Sequence, residues 1–399
     1  MSTFTRNVPL LAFAQAMMMT SMSLIIATSA LVGHNLASDK AYSTFPLAVI
    51  MIAGMLTSIP AALIMQKLGR KAGFLAASIL AMAGASLLAS AIIQQTFWLF
   101  LTASALIGMF NGFGNYFRFA AADAVGEDHK SRAISLVMAG GVIAAIIGPN
   151  LATYTQHLIE GASFAGSYLA LIAVYGFLML SLLFLKLPDH GSLIDIQDQP
   201  QARPLSEILR QPEFIVAVIC GMLGYGVMSF IMTATPLAMH HHTHPFSDTA
   251  FVIQWHVLGM FAPAFVTGHL IRRFGLIRVM GIGAVLGVLC IIINLVGTSM
   301  WHFFSALLLL GVSWNFLFIG ATTLLTQAYS PQEKFRTQAA NDFMVFTTVA
   351  IASLSAGILH HEYGWRAVNI GALPALMVIV MSLVWLTLKR SRPIKPQQV

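Results

Sequence analysis

The sequence predicts an all-α membrane protein with twelve transmembrane helices in two pseudo-symmetric six-helix bundles. Three observations predict it: the composition, the placement of the basic residues and a faint internal repeat. Of 399 residues, 58% are hydrophobic and 9% charged, whereas soluble domains carry about 25% charged residues. A chain this apolar cannot cover a surface that faces water, so lipid must be its main solvent.

A spanning helix needs about 20 mainly apolar residues. Runs of this kind fall at 8–33, 42–65, 72–93, 97–121, 133–156, 165–186, 213–236, 248–271, 277–297, 300–326, 337–360 and 366–388. The first run is longer than a signal-peptide core and lacks a polar cleavage region, so it reads as a retained helix. An even number of spans puts both termini on one side. Loops on that side hold 18 of the 21 Lys and Arg residues; the opposite loops hold only Lys40 and Arg366, and Arg118 lies within the fourth span. Basic residues accumulate in cytoplasmic loops, so both termini are expected in the cytoplasm of a bacterial cell, with the chain in the inner membrane. The net charge of +7 is thereby a topology signal, and no nucleic-acid partner is expected. Both cysteines, Cys220 and Cys290, fall inside apolar runs, which argues against a disulfide framework or a thiolate metal site.

The longest polar stretch, 187–211, reads as a cytoplasmic linker between an N-terminal bundle at 1–186 and a C-terminal bundle at 212–399. The repeat supports this division. Gly69 after span two and Gly275 after span eight are 206 positions apart, Gly108 and Gly311 are 203 apart, and Arg132 and Arg336 are 204 apart. Parallel halves with a solute site between them near mid-membrane are one transporter plan.

The loop after span two runs Ala62 to Lys71 and ends in Gly69-Arg70-Lys71, and its counterpart holds Gly268, Arg273 and Gly275. Beside twelve spans, this loop resembles the signature of the major facilitator superfamily, although Ala62 and Gln66 replace its leading glycine and its aspartate. Four further stretches, 117–123, 140–149, 253–263 and 314–322, are similar to a proteobacterial group of that superfamily that includes riboflavin uptake transporters. The resemblance implies gating roles for Gly69, Arg70, Asp123, Arg132, Arg273, Gly275 and Arg336, with Asp123 the expected partner of Arg70. A second reading stays open, in which these cations anchor the loops to lipid headgroups.

Polar groups inside a span are costly and face a cavity or the bundle interior. Asn111, Asn115 and Arg118 are spaced i, i+4, i+7, on one face of span four. Gln254, Trp255 and His256 in span eight, and Trp314 and Asn315 in span ten, lie near mid-depth. Asn150 and Tyr154 follow Pro149 in span five. Amides suit a uracil-like edge and indoles suit a flat ring face, so Asn111, Asn115, Asn150, Tyr154, Gln254, Trp255, His256, Trp314 and Asn315 are the candidate substrate-binding residues. The alternative for each is packing or helix joining. Gln15 and Tyr225 are further lining candidates. His256 and Asp342 are the candidates for proton coupling, with bracing of span eleven the other role for Asp342. The absent glycine pair after Pro149 departs from the superfamily's antiporter signature.

No phosphate-binding loop, catalytic constellation, cofactor or metal site is expected, the histidines at 240–244 included. The expected function is secondary active or facilitative transport of a small organic solute by alternating access. Riboflavin, or a similar flat heteroaromatic, is the solute the resemblance implies. The alternatives are a proton-driven multidrug or siderophore exporter, and a receptor or sensor that binds without transport. The expected partners are a solute and the lipid bilayer, with the protein a monomer and not an enzyme.

Overall fold

The structure is a computed structural model that describes residues 4–125, 133, 136–186, 203–330 and 333–390. Every regular element among these residues is helical. In chain order they are α1 (Phe4–Leu36), a short 3-10 turn (Lys40–Thr44), α2 (Phe45–Leu68), α3 (Arg70–Ile93), α4 (Phe97–Gly114), α5 (Phe117–Asp123), α6 (Gly140–Thr155) and α7 (Ala165–Leu183). There follow α8 (Leu205–Ile208), α9 (Pro212–His241), α10 (Phe246–Phe261), α11 (Ala264–Phe274), α12 (Leu276–Val296), α13 (Met300–Leu325) and α14 (Lys334–Arg390). A bilayer leaves backbone N–H and C=O groups no water to bond, and helices satisfy both internally.

Ten of the described helices are long and apolar enough to cross a membrane, or eleven when α10 and α11 count as one bent span. The chain is a multi-pass membrane protein of the all-helical kind. Sequence reading gives one straight helix over 248–271; the structure bends it by 45° between α10 and α11. The cause is Pro263, which has no N–H to donate within the helix. The 57 residues of α14 are interrupted by non-helical backbone at Gly364 (φ 75°, ψ −178°). Unbroken, that run would reach about 86 Å at 1.5 Å per residue, far beyond a hydrocarbon core of about 30 Å. The chain reverses at Gly364 instead. At one end of the run Glu333 accepts from the backbone N–H of Ser330, and at the other Arg390 donates to Gln327, so both legs return to one place.

The buried apolar side chains form two clusters. One is drawn from residues between Val8 and Leu185 with Leu237 added. The other is drawn from Ile208 to Leu386 with Ala27 and Ala145 added.

The glycine pairs of the sequence repeat have matching geometry. Gly69 (φ 84°, ψ 150°) separates α2 from α3, and Gly275 (φ 91°, ψ 147°) separates α11 from α12. Both lie where a Cβ would be strained. Gly108 presses on α2 so closely that a Cβ would stand 2.4 Å from the Ile50 carbonyl oxygen. Gly311 meets the His256 carbonyl at the same 2.4 Å. Removing a side chain lets two backbones approach, and that contact is a main source of helix association in lipid.

At the end of the molecule that bears Gly69 and Gly275, the residues before α9 are stapled to the segment before α14. Arg203 donates to Glu333 from Nε (2.8 Å) and Nη2 (2.7 Å), and the Glu333 side chain is buried while Arg203 is half-exposed. The Arg203 guanidinium, then the Ser330 N–H, hold the Glu333 carboxyl well below the usual carboxylate range.

Two outcomes follow. Gly311→Val should lower stability by about 1–3 kcal/mol, because backbone atoms cannot yield to the added carbons. Gly281→Ala, where nothing lies within 4 Å, should leave it unchanged; thermal melting of the detergent-solubilised protein compares the two. For Glu333, a depressed folded pKa means its stabilisation is present above the unfolded value near 4.3 and is lost as pH falls through the lower folded value. The Tm gap between parent and Glu333→Gln should therefore be constant from about pH 8 to 5 and close only below about pH 4.

Candidate functional site

The two chain stretches meet along α6 and α10. Asn150 on α6 donates from Nδ2 to the Ile146 carbonyl (2.7 Å) and to Gln254 Oε1 on α10 (2.6 Å). Among the described residues that leaves Asn150 Oδ1 as an acceptor and Gln254 Nε2 as a donor with no hydrogen-bond partner. Such a pair matches a ligand edge that alternates C=O and N–H. Seven residues further along the same face of α10, about 10 Å away, Phe261 sits against Gly141 of α6. A Cβ on Gly141 would come within 2.9 Å of the Phe261 ring.

Phe261 leads into an aromatic wall. Its ring lies 6.2 Å from Trp314. Trp314 stacks on Phe318 at 5.0 Å with 10° between planes, and Tyr225 of α9 meets both edge-on at 5.2 and 5.4 Å. Phe346 of α14 stands 6.4 Å from Tyr225. The Trp314 Nε1–H is buried without an acceptor, as is Asn111 Oδ1 without a donor. Asn111 Nδ2 points at Met22 Sδ, 2.9 Å away.

Other candidates occupy different surroundings. Trp255 belongs to a second aromatic group with Phe251 (6.1 Å) and Phe304 (5.9 Å), which continues to Trp301, 67% exposed. It is therefore separate from the Trp314 wall. His256 is fully buried, and its Nδ1–H donates to the Leu307 carbonyl at 2.8 Å. Its Nε2 has no partner. Asn315 is spent on the bend: Nδ2 donates to the Met260 carbonyl (2.6 Å) and Oδ1 accepts from Thr267 (2.6 Å). Those bonds satisfy groups at the α10–α11 break. Asn115 is exposed at the junction of α4 and α5. Tyr154 is 81% exposed and makes no hydrogen bond or ring contact among the described residues. Gln15 is buried.

Arg118 lies over the Phe119 ring at 4.9 Å and within electrostatic reach of Asp342 on α14. Asp342 accepts from Asn341 Nδ2 at 3.0 Å. Of the gating candidates, Arg273 lies over Phe274 at 5.3 Å. The Asp123 and Arg336 side chains and all of Arg132 lie outside the described residues, so the pairing of Arg70 with Asp123 does too. No group of three His, Cys, Asp or Glu side chains among the described residues is placed to share a metal ion.

Sequence reasoning missed Phe261, Phe318 and Phe346. Phe318 was within reach, since it stands one turn beyond Trp314 on the same face. Phe346 had no such signal, because only the folding of α14 brings it to Tyr225.

Comparison with known proteins follows the same lines. The Riboflavin transporter RfnT of Brucella anthropi is 41% identical over 385 residues, covering 95% of each chain. An uncharacterized MFS-type transporter of Bacillus subtilis, YddS, is 22% identical over 96% of this chain and 91% of its own. Among solved structures, a POT family transporter in complex with 5-aminolevulinic acid superposes with a TM-score of 0.74 at 14% identity, over 95% of this chain and 96% of that one. A bacterial homolog of the human lysosomal transporter Spinster, in an inward-facing and occupied conformation, gives 0.70 at 13% identity, over 96% of each. The sequence profile of the Major Facilitator Superfamily matches residues 11–253 and 217–399. With that coverage, and with a relative at 41% identity along nearly the whole length, the chain belongs to the major facilitator superfamily of transporters.

Proposed function

We propose that this transporter carries riboflavin, or another flat heteroaromatic with an imide-like edge, into the bacterial cell across the inner membrane. The observation that carries the reading is the Asn150–Gln254 amide pair, on one seam with the stacked Trp314–Phe318 wall. The free acceptor and donor suit the C=O/N–H edge of an isoalloxazine, and the rings suit its face. The Brucella anthropi riboflavin transporter, 41% identical, supports the same solute.

Twelve spans complete the arrangement: the ten long helices, the bent α10–α11 pair, and the second leg of α14 beyond Gly364. The two apolar clusters support a bundle at 1–186 and another at 212–399 joined by 187–211. Among the described residues, hydrogen bonds between the bundles lie at mid-depth and toward the Lys40–Thr44 end: Asn150 to Gln254, Thr347 to Met55, and Thr44 to Gly357. With basic loops in the cytoplasm, the Lys40–Thr44 end faces outward, and these bonds hold that end closed. Gly69 and Gly275 set the gate loops that carry Arg70 and Arg273. Asp342, facing Arg118 between the bundles, is better placed than the enclosed His256 to exchange a proton with the solute path.

Purified protein in liposomes should take up radiolabelled riboflavin faster than empty liposomes do; equal rates would reject this solute. A ring stack contributes about 0.5–1.5 kcal/mol, so Trp314→Ala should reduce uptake by roughly threefold to tenfold. Trp255→Ala, in the separate group, should cost less. The reverse order would place the solute against Trp255.

A further inference from the structure

We propose that the histidines around His34 and His240 form an outer gate that opens on protonation from the external side. The inference rests on the alternating-access reading and concerns its regulation. Two chambers lie at the closed end, of about 290 and 660 Å³, and His34 and His240 line both of them. The two rings, 6.1 Å apart, are thus a partition that joins α1 to α9. Around the larger chamber His241 stands 5.5 Å from His242 and 6.3 Å from His360, and His361 completes the lining. Six histidines from three elements therefore meet where the bundles touch.

The surrounding charges favour separation. Lys40 and Arg366 line the larger chamber, and no carboxylate lines either one. Lys40 donates to the His34 and Ala37 carbonyls, which fixes its charge beside His34. Arg366 donates to the Leu295 carbonyl. The nearest acids are engaged or outside: Asp39 caps the N–H of Ala41, Asp248 pairs with His244 at 3.8 Å, and Glu362 is exposed and lines neither chamber. His302 is held by Ser299. His244 also bonds the Thr298 carbonyl.

Neutral imidazoles pack here at no electrostatic cost, while each added proton places a cation among cations. Burial, with His241 and His244 alongside, lowers the affinity of the His242 imidazole for a proton. The closed form is therefore favoured above the ordinary histidine value near 6.5 and loses ground as pH falls below it. Separation must also break the bonds of Thr44 to Gly357 and Leu354, which sets a threshold and keeps the gate shut at neutral pH.

Spin labels at Ser38→Cys and Tyr363→Cys, both exposed sites, report the gate by electron–electron distance measurement in liposomes without solute. Between pH 7.5 and 5.5 the long-distance fraction relative to the short should rise on the order of tenfold, the ratio for one pK unit of linkage. The change should set in only below the ordinary histidine value near 6.5. Glutamine at all six positions, His34, His240, His241, His242, His360 and His361, should abolish the shift and keep the short distance at both values. His240→Arg, charged at every pH, should show the long distance at pH 7.5. A parent whose distance ignores pH, or a glutamine variant that still shifts, overturns the gate. Because no solute is present, either result stands apart from the identity of the solute; a working gate without riboflavin uptake would reject only the latter.

Discussion

In a bilayer the hydrophobic effect does little to hold one helix against another, because lipid is as apolar as the side chains. Association depends on close packing and on buried hydrogen bonds. Gly108 against the Ile50 carbonyl and Gly311 against the His256 carbonyl are close packing of this kind between long helices. A Cβ at either position would strike backbone, which has nowhere to move. Much else is fixed by these contacts. The Gly311 contact holds α13 against α10, and His256 and Asn315 add hydrogen bonds across the same pair. The polar side chains on this interface are spent on carbonyls, as expected where water is excluded.

The α6–α10 seam is built differently. There Gly141 accepts the face of Phe261, while Asn150 and Gln254 bond each other and keep half of their amide capacity unused. A seam of this kind is adequate to hold two bodies together and cheap to open, since one amide bond contributes only about 0.5–1.5 kcal/mol net. Proposed alternating access requires that property. It also fits the proposed solute-facing groups lying on the seam and not within the tightly packed helix pairs.

The two ends of the molecule differ in charge chemistry. At one, Arg203 and the buried Glu333 form a hydrogen-bonded ion pair that responds to pH only in strong acid. At the other, histidines and two cations share chambers without a carboxylate. One end is held by an interaction insensitive to ordinary pH, and the other gathers imidazoles whose protonation is proposed to loosen it.

The sequence by itself determined the class of protein, an all-helical multi-pass membrane chain, and the repeat. Span length is fixed by membrane thickness, and glycines recurring at one offset mark positions that need either a close approach, as at Gly108 and Gly311, or a left-handed turn, as at Gly69 and Gly275. It also placed Asn150, Gln254 and Trp314 among the candidates. Tertiary structure alone decided which of the polar residues face each other. Trp255 and Trp314 look equivalent along the chain, yet one ring joins Phe304 and the other joins Phe318 and Tyr225. Asn315 and His256 read as cavity groups until the bend at Pro263 and the Leu307 carbonyl claim their hydrogen bonds. Histidines 34, 240 and 360 are far apart in sequence and gather only because α1, α9 and α14 pack together at one end of the molecule. Helical periodicity specifies a face, but the partner of that face is set by packing between distant segments.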